Sequence, residues 1–72
     1  MEDLRRCGAH EIRLAGSSVL RQAVVEIEQG RVVNWYEFRD ELPMTEWLGG
    51  MIEVFRDAGG LLRARHEGRL LE

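Results

Sequence analysis

The side chains best equipped for chemistry in this 72-residue chain are two histidines, each followed by a carboxylate: His10-Glu11 and His66-Glu67. Imidazole and thiolate are common zinc donors, so Cys7, His10 and His66 form a candidate ligand set if the segments that carry them are neighbours. Their spacing follows no established metal motif, and ordinary surface or edge histidines account for the same residues. Neither a metal nor a cofactor is expected. Nucleophilic catalysis needs a nucleophile beside an oriented base. Ser17 and Ser18 stand in a turn-like Gly16-Ser17-Ser18 with no nucleophile elbow around them. Cys7 has Arg5 and Arg6 close in sequence, but nothing that clearly lowers its pKa. Asp40 and Glu41 are adjacent and diverge in an extended chain, and Glu26 and Glu28 share a side only as far as the next turn. Solvated charge describes all four, so no catalytic residue is assigned and no enzyme is expected.

Binding is better represented. Trp47, with Pro43, Met44, Glu46 and the Gly49-Gly50 pair, makes the most plausible recognition surface, because loops carry binding and an amphipathic indole suits an interface. The competing reading is that Trp47 only closes the open end of a small core. Tyr36 and Phe38 alternate on a strand, as base-stacking aromatics do, but Glu37 separates them and no basic groove accompanies them.

Charge narrows the partner classes. The chain has 10 basic and 13 acidic residues, net −3, with the signs interleaved. A phosphate backbone would meet no basic stripe, so nucleic acid is a minor alternative, through Arg31, Arg63 and Arg65 with Tyr36. All 10 basic residues are arginine, which excludes lysine Schiff-base chemistry and a lysine-bearing phosphate loop. One cysteine forms no internal disulfide, which fits a reducing cytoplasm. No apolar run approaches the roughly 18 residues that span a membrane, and MEDLRRCGAH has no signal-like apolar core.

The elements that must position these residues begin with Val19 to Arg39, where β-branched and apolar residues flank Gln29-Gly30. This is a hairpin pattern. A two-residue turn would put Gln29 at positive φ, so a three-residue loop Glu28-Gln29-Gly30 with only Gly30 left-handed is expected. Ile27 then faces Arg31, Val25 faces Val33 and Ala23 faces Trp35, so that Ile27, Val25, Ala23, Val33 and Trp35 share the core face. Leu20, Gln22, Val24, Glu26, Val32, Asn34, Tyr36 and Phe38 form a mixed second face. Before the hairpin, His10, Ile12 and Leu14 alternate with Glu11 and Arg13 as an antiparallel strand. After it, Pro43 bars a central strand, and one helical turn over about 44–48, ended by Gly49, is expected. Met51 to Arg56 and Leu61 to His66 read as two more strands around the Asp57-Ala58-Gly59-Gly60 turn. Residues 1–7 and 68–72 read as loose termini.

Two resemblances bear on this pattern. The hairpin AVVEIEQGRVVNWYEF (23–38) resembles hairpins of the small β-domain that accompanies the barrel of amidohydrolases. The catalytic barrel of that superfamily is far longer than this chain, so the resemblance implies no activity. Through LPMTEWLGG (42–50), the chain as a whole looks like a family of small uncharacterised bacterial β-proteins, which implies no function.

The reading is one all-β domain over 1–72, about five antiparallel strands in a small twisted sheet, half-barrel or sandwich. An α+β fold with a true helix over 43–48 is the alternative. A chain this short buries only roughly 60% of its unfolded surface, so covering the mixed face in a homo-oligomer would add to a modest core. A protein-interaction or self-association module is therefore expected, with Trp47, Glu46, Met44, Pro43, Tyr36 and Phe38 as its candidate residues. A small-ligand or metal-binding accessory domain using His10, His66 and Glu67 is the alternative from another class.

Overall fold

The structure is a computed structural model and describes residues 4–16, 18–40 and 42–72. The turn residue Ser17, the carboxylate of Glu41 and the first three residues of the expected N-terminal arm lie outside the described residues. The strands are β1 (Leu4–Arg13), β2 (Val19–Glu28), β3 (Arg31–Glu37), β4 (Thr45–Trp47), β5 (Met51–Arg56), β6 (Leu62–His66) and β7 (Arg69–Leu71). They form one sheet in the order β3-β2-β1-β5-β6-β7, with β4 also paired to β1. The all-β class is as expected. The sheet has seven strands rather than five, and it is mixed, because β4 and β5 both run parallel to β1.

The expected helical turn is instead β4. β1 is ten residues long and presents an open row of backbone groups, which Thr45, Glu46 and Trp47 satisfy along Arg6 to Gly8, and β5 along Glu11 to Arg13. A lone helical turn has no comparable source of stability. Gly49 and Gly50 are left-handed (φ 73° and 60°), yet they cap no helix. They form a step between two strand segments, flanked by Leu48 N–H donating to the Gly8 carbonyl at 2.8 Å and Glu11 N–H to that of Gly50 at 3.1 Å.

The hairpin turn also differs from expectation. Gln29 (φ 54°) and Gly30 (φ 79°) make a two-residue turn of the primed kind, with Glu28 opposite Arg31. Its twist matches that of the long strands it joins, which offsets the cost of a left-handed glutamine. The extra residue is Val33, in a bulge between Val32 (opposite Ile27) and Asn34 (opposite Glu26). Val25 therefore faces Trp35, and Ala23 faces Glu37. A slip by an even number keeps the faces, so Val25, Ala23, Ile27 and Trp35 still share one side. Val32 is buried and Val33 exposed, the reverse of the expected assignment.

The core phase changes partway along β1 and β2. Cys7 and Ala9 face the core near one end of β1, and Ile12 near the other. On β2, Ala23, Val25 and Ile27 give way to Leu20, which packs on the core instead of the mixed face. The change falls at His10 and Gln22, the level missing from the β1–β2 pairing, where Gln22 has φ 49°. His10 is thereby removed from the side of Ile12 and Leu14. The sheet folds over so that β3 approaches β6. Arg63 spans the gap, donating to the Gly30 carbonyl at 2.7 Å and to Asp57 at 3.1 Å. Ile52, Val54, Ala64 and Leu71 complete the core.

Both termini are corrected as well. Leu4 to Cys7 belong to β1 with Cys7 fully buried, and Leu71 in β7 is 6% exposed. Each end gains ladder hydrogen bonds and buries an apolar side chain, which a loose arm could not do.

Candidate binding groove around Trp47

Gly8 is the position on which the groove depends. With no side chain there, the Trp47 indole lies directly against the β1 backbone: a Cβ on Gly8 would stand 3.0 Å from Cε3 and 3.3 Å from Cζ3. His10 and Phe38 meet the indole edge-on, with ring centroids at 5.0 Å and 6.0 Å. Val24, the cross-strand partner of Gly8, is fully buried although it lies outside the main core cluster. The chain leaving β3 is held at Phe38, whose N–H donates to the Gln22 carbonyl at 3.0 Å. It is held again at Pro43, whose carbonyl accepts from Thr45 Oγ1 at 3.3 Å and from Arg6 Nη1 at 3.4 Å. Between this segment and Trp47 is a groove of about 360 Å³, lined by Gln22, Phe38, Arg39, Asp40, Leu42, Thr45 and Trp47.

Beside it, the Tyr36 hydroxyl donates to Glu26 Oε2 at 2.6 Å, and Arg6 Nε donates to the same oxygen at 3.0 Å. The phenol, and after it the guanidinium, hold the Glu26 carboxyl below the usual carboxylate range. Glu26 in turn raises the Tyr36 phenol. Both side chains are thus committed to the fold.

Of the residues expected to bind, Trp47 and Phe38 line the groove. Met44 projects next to it, 88% exposed with φ 60°. Pro43 is exposed and contributes its carbonyl. Tyr36 is engaged by Glu26, and Glu46 forms a two-point ion pair with Arg5 at 2.7 and 3.0 Å instead of joining the groove. Gln22, Arg39, Asp40, Leu42 and Thr45 complete the lining, although residue type alone does not mark them. An isolated glycine inside a strand is a signal of close approach, and Gly8 carried it.

The metal candidates are not assembled. Cys7 is fully buried and burial pushes its thiol up. His10 packs on Trp47, and His66 Nε2 lies 3.0 Å from the Gly49 carbonyl oxygen. Among the described residues no three His, Cys, Asp or Glu side chains converge on a metal position. Of the arginines considered for nucleic acid, Arg63 is held by Asp57 and Gly30, while Arg65 pairs with Glu53 at 2.8 Å and stacks on Phe55 at 4.4 Å. Arg31 is exposed. A second depression, about 250 Å³, lies between Trp35, Leu62 and Arg56. No helix among the described residues is long and apolar enough to cross a membrane.

Comparisons with protein-family models, with curated proteins and with solved structures found no match.

Proposed function

We propose that this domain is a non-catalytic protein-interaction module that takes an apolar side chain of a protein partner into the groove beside Trp47. The observation that carries the reading is an indole fixed between His10 and Phe38 and still 48% exposed. A large apolar ring already held in one orientation loses little entropy when a partner covers it. The groove's volume is near the small end of ligand-sized cavities, roughly 300–1,000 Å³, which suits one side chain better than a cofactor. Its polar lining pairs no nucleophile with a base, since the Thr45 hydroxyl is given to the Pro43 carbonyl. A reducing cytoplasm suits a chain whose one thiol is buried.

The test is NMR titration with short capped peptides that differ only in a central Ala, Met, Leu or Phe. The Trp47 indole and Phe38 ring signals are expected to shift with the three larger side chains and not with alanine, while the Trp35 indole stays in place. Equal shifts at both indoles, or none at Trp47, would refute the groove.

A further inference from the structure

We infer that the partner is a second copy of this chain, bound through reciprocal insertion of Met44 into the groove. The inference rests on the interaction reading above and names its partner. Among the described residues Met44 is the most exposed of the large apolar side chains, at 88%, and it does not line the groove of its own chain. Its backbone is left-handed at φ 60°, a conformation that glycine or asparagine adopts more easily than methionine. The turn into β4 thus holds an apolar side chain in water on a left-handed backbone, an outlier of the kind from which a functional role is inferred.

Knob and hole are adjacent, because Leu42 and Thr45, on either side of Met44 in sequence, both line the groove. A two-fold axis beside this segment brings each Met44 to the other subunit's groove, closing an isologous pair. A thioether is unbranched and adapts to an irregular slot, and its sulfur makes favourable contacts with rings such as those of Trp47 and Phe38. The rim carries matching charge. Arg39 and Asp40 are both exposed, and among the described residues neither has an ion-pair partner. The same axis sets Arg39 against the partner subunit's Asp40, twice. One knob and two charge pairs on each side make a contact of the small, transient kind, so the dimer is sought up to millimolar protein.

Sedimentation velocity from micromolar to millimolar protein, with the Trp47 indole signal followed over the same range, tests this. The parent chain is expected to pass from monomer to dimer while the Trp47 signal moves and the Trp35 signal does not. Met44→Gly is expected to melt at a higher temperature, through relief of the left-handed backbone, and to dimerise about tenfold or more weakly. Loss of dimer in that variant is then not loss of fold. Arg39→Asp is expected to weaken the dimer, and adding Asp40→Arg to restore it. A dimer indifferent to Met44→Gly, or a chain monomeric at every concentration, would overturn the inference. If the monomeric chain still shows Trp47 shifts with the methionine peptide, the groove stands with a different protein as its partner; if it shows none, both readings fall.

Discussion

Replacing Gly8 with valine strikes the groove at its foundation, because the Trp47 indole fills the space a side chain would take. A Cβ at that position meets Cε3 of Trp47 at 3.0 Å and the Ala23 carbonyl oxygen at 3.5 Å. Alanine asks the indole to move by a few tenths of an ångström, and its solvent side is open. The strand gains about 0.5–1 kcal/mol on replacing glycine, so Gly8→Ala is expected to be near neutral. Valine adds two methyl groups where the ring lies, and the ring must leave. Trp47 is 48% exposed. About half of a tryptophan's surface, roughly 100 Å², then returns to water, a loss of about 2.5 kcal/mol. Better β-propensity offsets about 1 kcal/mol of this, leaving a net destabilisation of about 1.5 kcal/mol. For a domain of this size, that lowers Tm by roughly 6–12 °C. A thermal melt reads the stability, and the ring-current shift of the His10 ring protons reads the position of the indole. A Gly8→Val chain that melts with the parent and keeps the His10 shift would refute the reasoning.

Tyr36→Phe removes the shorter of the two hydrogen bonds to Glu26 and is expected to cost about 1–2 kcal/mol, read by urea denaturation. It also changes the pH profile. The folded-state pKa of Glu26 is depressed, so its contribution is present above the unfolded carboxylate value, about 4.3, and is lost as pH falls through the folded value. The Tyr36 phenol is the largest cause of that depression, so the Phe variant is expected to show a smaller loss of stability over this acid range. At the alkaline end the sign reverses. Tyr36 has a raised pKa, so its contribution is present below the unfolded phenol value, about 10, and is lost as pH rises through the folded one. The variant has no such loss. At the hairpin, Gln29→Asn places a residue that tolerates φ 54° in the first turn position and is expected to raise stability by about 0.5 kcal/mol, measured by thermal melting.

Much of the fold was legible because alternation and turn chemistry are local. The apolar period of two marked β5 and β6, Gln29-Gly30 marked the apex of the hairpin, and Ala23, Val25 and Ile27 were assigned to the core they occupy. Residue type alone singled out the segment around Trp47 as the candidate surface, and Trp47 and Phe38 do line a groove there. Its strand character was not, since nothing in Thr45-Glu46-Trp47 records that β1 has an open row of backbone groups alongside. The same holds for Glu46, which reads as a neighbour of Trp47 but turns to Arg5, 41 positions earlier in the chain.

The amino-acid sequence by itself determined an all-β chain, its hairpin and the part of the core that Ala23, Val25 and Ile27 supply, since side-chain period and turn preference act over a few residues. Tertiary structure alone decided the change of phase at His10 and Gln22, the two parallel partners of β1, and the meeting of Trp47 with Gly8. Those outcomes depend on which backbone groups remain unpaired after the hairpin forms and on where a missing side chain leaves room. Both are properties of segments far apart in the chain, and no local pattern encodes them.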